Sequence, residues 1–242
     1  MFRWTEKSIE LWQRAEKYTD HYVELGNSLK KFIKADHSVY DIGCGLGFVD
    51  LELAPYVKNI KAFDIEQRVL DILNKNAVNK NINNLEICNN DWTKESDNSC
   101  DTLMACSFGN IVECFDDFMR IAKDQVILVK RYRSKDKKKY VPGRRAFSAE
   151  ATEAYLRDRN IVYDKYIFES EFGQPLVSYE EAVWFSEFHG MNRSVPVEDF
   201  LKENLITVKD SEYKYYLPNK KEMVIFIIKT DQYRGADNEE GK

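Results

Sequence analysis

Ser38-Val-Tyr-Asp-Ile-Gly43-Cys-Gly45-Leu-Gly47 is a β-favouring run that stops at three glycines spaced two apart. Branched and aromatic side chains suit a buried, pleated strand, and glycine permits the positive φ of a tight turn. Residues 48–54 then follow a helical pattern ended by Pro55, which cannot continue a helix. The chain therefore passes from strand to helix through glycines, and the same rhythm repeats downstream. Residues 60–65 predict a second strand and 66–79 a helix, with Val69, Leu70, Leu73 and Val78 near helical spacing. Leu85–Cys88 predicts a third strand, closed by Asn89-Asn-Asp-Trp92, and Cys100–Cys106 a fourth. A helix at 110–122 leads to a fifth strand at 125–130. Short apolar strands alternating with helices are the sequence form of crossover units on a parallel sheet covered on both faces. The spacing predicts a doubly wound α/β sheet.

Upstream, residues 4–33 read as helix, because Trp12, Ala15, Tyr18, Tyr22, Leu25, Leu29 and Phe32 recur every three or four positions. Gly26 falls inside this stretch, so two shorter helices fit as well as one long one. The stripe is rich in rings, which suits either core packing or a lid over a half-wet pocket. Downstream of residue 130 the rhythm loosens into Lys130, Arg131, Arg133, Lys135, Lys137, Lys138, Lys139, Arg144 and Arg145, relieved by Asp136. A helix at 148–158 and strands at 161–168 and 222–229 complete seven strands. Between the last two strands lie helices at 178–188 and 197–204, an insert long enough to carry specificity. The expected organisation is an N-terminal helical lid (1–35) and a main domain (36–231). That domain holds a basic segment (130–147) and a substrate-facing insert (170–215), and a disordered tail (232–242) follows.

The glycine spacing discriminates among ligands. A dinucleotide fingerprint needs its third glycine three residues after the second, but position 48 is Phe and the third glycine is Gly47. No Lys-Ser/Thr follows, so a phosphate-cradling loop is excluded as well. What remains is Asp41, one spacer, and glycines at alternate positions. This resembles the first motif of the class I S-adenosylmethionine-dependent methyltransferases, whose fold is a Rossmann-like, mostly parallel seven-stranded sheet. The resemblance covers about residues 36–130 plus the last strand, and it implies a cofactor site at the ends of four successive strands. Asp41, Gly43, Cys44, Gly45 and Gly47 would underlie the amino-acid end of the cofactor. Asp64, 21 residues after Gly43, would accept hydrogen bonds from the ribose hydroxyls, with Ile65 beside it. Asn90, Asp91 and Trp92 would meet the adenine, and Cys106 and Ser107 would line the transferring methyl group. Read without the resemblance, Asp64 could cap the following helix, Asp91 could cap a turn, and Trp92 and Cys106 could simply be core.

The resemblance implies in-line transfer of a methyl group from S-adenosylmethionine, leaving S-adenosylhomocysteine. A general base is required only for a protonated, weakly acidic acceptor, and no catalytic residue is assigned. The segment 106–110, Cys-Ser-Phe-Gly-Asn, lacks the Asn/Asp-Pro-Pro-Tyr/Phe pattern of enzymes that methylate base amines or glutamine amides. The formal net charge of −5 also disfavours a dedicated nucleic-acid binder. A small-molecule acceptor is therefore expected. Candidate walls are Trp12, Tyr18 and Tyr22 from the first helix and Tyr179, Trp184, Phe185 and His189 from the insert. Glu180, Glu181 and His189 are the nearest approach to a base. Alternatives are RNA or protein methylation through the 130–145 segment, or a non-catalytic cofactor-binding module. Five cysteines without a CxxC pair and three histidines suggest neither a disulfide framework nor a metal site. The early residues Arg3, Glu6, Lys7 and Glu10 precede no apolar run, so no signal peptide or membrane span is expected, and the cytoplasm is the expected compartment. The oligomeric state stays open.

Overall fold

In the computed structural model, which describes residues 4–132, 148–192, 195–209 and 212–237, the opening stretch forms β1 (Ser38–Ile42), the glycine turn and α3 (Phe48–Leu53). Two helices precede it, α1 (Glu6–Tyr18) and α2 (His21–Leu29). After it come β2 (Asn59–Phe63), α4 (Gln67–Asn79), β3 (Leu85–Cys88), β4 (Cys100–Cys106), α5 (Ile111–Ile121), β5 (Ala122–Arg131) and α6 (Ala149–Asp158). Then follow β6 (Asp164–Glu171), β7 (Gln174–Leu176), α7 (Tyr179–Phe188), α8 (Val197–Asn204), β8 (Ile206–Thr207), β9 (Tyr215–Leu217), β10 (Lys220–Lys229) and α9 (Thr230–Asp237).

The main sheet has seven strands in the order β3-β2-β1-β4-β5-β10-β6. The pairs β3–β2, β2–β1, β1–β4 and β4–β5 are parallel, and β10 runs antiparallel to β5. This is the doubly wound α/β arrangement that the spacing predicts. Leu103, Met104 and Ala105 of β4 and Val126–Val129 of β5 are fully buried, as central strands covered on both faces must be. Phe115 and Phe118 of α5 fill one face, each ring contributing about 1.5–3 kcal/mol by leaving water.

The chain divides into two compact units. The larger comprises Tyr22–Glu169 and Glu222–Lys242, and holds the glycine turn. The smaller comprises Met1–His21 and Ser170–Lys221. In it, α1 packs on β7, and β7, β9 and β8 form a three-stranded antiparallel sheet in that order.

Three expectations change. The break in the first helix falls at Thr19–Asp20, where Thr19 is extended (φ −130°, ψ 157°), and not at Gly26. Gly26 lies inside α2, where an added Cβ would stand 2.8 Å from the Glu52 Cβ, so the glycine allows α2 to approach α3. The segment expected as one lid, 1–35, is accordingly shared between the units at His21/Tyr22. The insert carries three strands that its sequence did not announce, because two or three residues are too short to show alternation. Lastly, the tail expected to be disordered from residue 232 continues α9 to Asp237. Thr230 is buried with its hydroxyl on the Lys123 carbonyl, and Tyr233 stands edge-on to Phe115. Of the basic segment, Lys130 and Arg131 belong to β5, and 133–147 lie outside the described residues. Among the described residues no helix is long and apolar enough to cross a membrane.

Candidate functional site

Strand order brings the predicted residues together. The ends of β3, β2, β1 and β4 are neighbours in the sheet, and the direction of winding reverses between β1 and β4. Ligands of open α/β sheets bind in the crevice at such a reversal.

The glycine turn is tied down at its first residues. The N–H groups of Gly43 and Cys44 both donate to the Phe63 carbonyl at the end of β2 (2.8 and 3.0 Å), and Gly47 N–H donates to the Cys44 carbonyl (3.0 Å). Gly43, Gly45 and Gly47 have φ of +74°, +57° and +66°, a region costly for residues with a Cβ. Two of them are also crowded. An added Cβ at Gly43 would stand 2.1 Å from the Phe108 ring, and one at Gly47 would stand 2.2 Å from Leu73.

Asp64 binds the next side of the turn. Its Oδ2 accepts from Gly45 N–H and its Oδ1 from Glu66 N–H, both at 2.9 Å. The formal N-cap of α4 is Glu66, which makes no side-chain cap bond. Asp64 therefore couples two strand-end turns and does more than cap a helix. Its backbone is fixed by Cys88, which accepts from Asp64 N–H (3.2 Å), and by the Asn89 side chain, which donates to its carbonyl (3.0 Å). Ile65 beside it is 65% exposed, an apolar surface at the rim.

The segment after β3 is ordered by its own contacts. Asp91 Oδ1 accepts from Thr93 N–H (3.1 Å) and Thr93 Oγ1 (2.7 Å), capping a single 3₁₀ turn, Trp92–Lys94. These bonds, the hydroxyl's first, hold its carboxyl below the usual range. The Trp92 ring packs on Phe118 (5.2 Å between centroids) and edge-on to Phe108 (6.5 Å). Asn90 is exposed. Asp91 thus caps this turn and Trp92 packs against the core, both at the end of β3 beside Asn90. Arg120 of α5 fastens the loop by donating to the carbonyls of Thr93 and Glu95, both at 2.7 Å.

Beyond β4, Ser107 takes φ +55° while its N–H donates to the Val129 carbonyl (2.8 Å). The Phe108 ring reaches Gly43, and the Phe108 and Gly109 carbonyls both accept from Lys130 Nζ. Lys130 is 1% exposed, and burial brings its ammonium down to about 8. Its place at the head of the basic run hid this role in the sequence. The signal was its place directly after the apolar run Val126–Val129. Burial, then the nearby carboxyls, push the Cys44 and Cys106 thiols well up, so neither is a thiolate nucleophile. Asp41 is buried as well, and beside it lies Asp50 of α3, which the sequence reading did not single out.

The proposed wall residues fall in separate groups. Tyr22 belongs to the larger unit, against Phe48 (5.0 Å). In the smaller unit Trp12 lies against Phe172 (5.6 Å), and Tyr18 against Tyr213 and Tyr216 (5.8 and 5.1 Å). Tyr179 meets Tyr215 (6.4 Å). Trp184 stacks on Phe188 (5.0 Å), and His189 meets Phe185 (4.4 Å) and Phe188 (5.1 Å). Glu181 is no free base. Although burial opposes it, bonds from Lys7, Val177 N–H and Arg14 hold its carboxyl below the usual range. Glu180 is exposed.

The donor set fits a cationic nucleoside ligand better than a phosphate one. Asp64 and the buried Asp41–Asp50 pair supply carboxyl oxygens around a turn of bare main chain, and the Oδ1 of buried Asp41 has no donor of its own.

Comparison with known proteins places this arrangement. A family model described as a methyltransferase domain matches residues 33–170. Among solved structures, the chain is similar to a candidate methyltransferase of Bacillus halodurans, with 17% identity over 87% of this chain and 97% of that one, and a TM-score of 0.55. It is similar to the YcgJ protein of Bacillus subtilis, with 14% identity over 85% and 97% of the two chains and a TM-score of 0.53. It also resembles a precorrin-6y C5,15-methyltransferase of Geobacter metallireducens, with 13% identity over 84% and 87% and a TM-score of 0.51. At these identities the structural likeness concerns the fold.

Proposed function

The chain belongs to the methyltransferase domain family as an S-adenosylmethionine-dependent enzyme of class I, and from that premise we propose that it methylates a small-molecule acceptor. The observation that carries this reading is the character of the smaller unit. Its rings, Trp12 with Phe172 and Tyr18 with Tyr213 and Tyr216, suit a compact, partly apolar molecule. Three of its cations are engaged: Lys7 and Arg14 bind Glu181, and Lys221 lies over the Phe172 ring at 3.7 Å. A polynucleotide needs free phosphate-binding charge, and the net charge of −5 points the same way.

When bound, S-adenosylmethionine supplies an electrophilic methyl carbon with a built-in leaving group. The chain's own residues bind and orient. In this reading the glycine turn underlies the amino-acid end, and Asp64 receives the ribose hydroxyls. Asp64 spends one lone pair of each oxygen on the turns and keeps further acceptor sites. Phe108, fixed through Lys130, forms part of the floor beside Gly43. Cys44 and Cys106 stay protonated and so do not compete as methyl acceptors.

Cofactor binding should be visible as stabilisation. At about one hundred times its dissociation constant, S-adenosylmethionine should add about 2.7 kcal/mol. For a chain of this size that raises Tm by roughly 5–10 °C in a thermal melt, and no shift would count against the site. The acceptor class is tested by incubating the chain with labelled cofactor and either a small-metabolite fraction or total RNA. Label in the metabolite fraction alone supports the proposal. Label in RNA, with binding that falls steeply as salt rises, would replace it.

A further inference from the structure

Asp41 and Asp50 sit on opposite sides of the glycine turn in sequence, one near the end of β1 and the other in the first turn of α3. They are 1% and 0% exposed, and their side chains lie within hydrogen-bonding reach of each other. Yet Asp41 Oδ1 and both oxygens of Asp50 have no hydrogen-bond donor. Among the described residues no Lys, Arg or His forms an ion pair with either. The ionisable groups facing the pair are Asp64 from the end of β2, the Cys44 thiol from the turn and the Cys106 thiol from β4. Lys130 of β5 stands beyond Cys106 and spends its ammonium on two carbonyls.

Two buried carboxylates in contact cannot both be ionised without a cation, so they retain a proton between them. Burial raises Asp41 to about 7, against the hydrogen bond from Asp50 and with the charge of Asp64. Burial also pushes Asp50 well up, with the charge and hydrogen bond of Asp41 adding to it. The ionisable side chains facing the pair are a carboxyl and two protonated thiols. What the cluster lacks is positive charge, and the methyl donor brings it as an ammonium and a sulfonium. The demethylated product keeps the ammonium and loses the sulfonium.

Building on the cofactor reading, we propose that Asp50 and Asp41 share one proton beneath the glycine turn and release it when the cationic end of the methyl donor binds, so that Asp50 sharpens the preference for donor over product. The proton passes to solvent, and no other bond changes. The bound state holds fewer protons than the free one, so affinity rises with pH across the range where the free pair still holds its proton, and levels off once the pair is ionised. Asp50 acts here through charge and its partner carboxyl, as a positioning residue.

Calorimetric titration with S-adenosylmethionine and with S-adenosylhomocysteine, in two buffers of different ionisation enthalpy, counts the protons released. In Asp50→Asn the amide supplies Asp41 with a hydrogen bond and removes the competing acid, so Asp41 is ionised before the ligand arrives. The wild type should release several tenths of a proton more than Asp50→Asn at about pH 7, and more with donor than with product. Between about pH 6 and pH 8 its affinity should rise roughly three- to tenfold more than that of the variant. Subtracting the variant cancels the titration of the ligand's own amine. The infrared difference spectrum of the wild type, which needs no variant, should lose a protonated-carboxyl carbonyl band on binding. Equal proton release with no infrared change would overturn the proposal and leave the cofactor assignment standing. No binding of either compound by the wild type would overturn both.

Discussion

Gly43→Ala is expected to destabilise the chain by about 2–5 kcal/mol, read as a lower midpoint in urea unfolding. Two costs add. At φ +74° an alanine pays about 1–2 kcal/mol for a left-handed conformation. Its Cβ would also be driven to 2.1 Å from Cδ2 of Phe108, an overpacking typically worth about 1–3 kcal/mol. The ring cannot retreat freely, because the main chain behind it is held by Lys130 at the Phe108 and Gly109 carbonyls. Phe108→Ala should therefore recover the packing part of the loss and not the conformational part, a coupling that a double-mutant cycle isolates. Wild-type stability in the single variant would mean that the turn is looser than described.

Asp64→Ala carries the second large effect, and it has two readouts. Removing the carboxylate leaves Gly45 N–H and Glu66 N–H without their partner, which should cost about 1–2 kcal/mol of stability. The same change should weaken S-adenosylmethionine binding by about 1–3 kcal/mol, roughly five- to 150-fold in calorimetry, through loss of charge-assisted hydrogen bonds. Asp64→Asn separates them. Its amide oxygen can still accept from one of the two N–H groups, so stability should return in part while affinity stays low. An affinity unchanged in both variants would remove Asp64 from the cofactor site.

The legible parts of this chain were those in which one pattern dominates. The strand-to-turn step at Ser38–Gly47 showed through the abrupt glycines, and β1 to β5 showed as apolar runs separated by periodic helices. The positions of Asp64, Asp91 and Cys106 at strand ends followed from that register. What stayed hidden depended on neighbours remote in sequence. Nothing local shows that Asp91 caps a turn until Thr93 is seen beneath it. Lys130 stood as the first of many cations in a basic run, because burial is decided by β4 and β10 on either side of its strand. Asp50 looked like an ordinary polar residue of a short helix, although Phe48, Val49, Leu51 and Leu53 around it are all buried. The three short strands of the smaller unit carry too few residues for any period to appear.

The seclusion of Lys130 turns it into a clock for motion in the site floor. Amine-reactive reagents label exposed lysines within their mixing time, but this one can be reached only when β5 parts from the turn above it. Its acylation, followed by peptide mass spectrometry, should lag far behind that of Lys94, whose side chain is 81% exposed. The lag should lengthen when S-adenosylhomocysteine is added. A single slow amine would then report how often the floor breathes and whether a ligand quiets it.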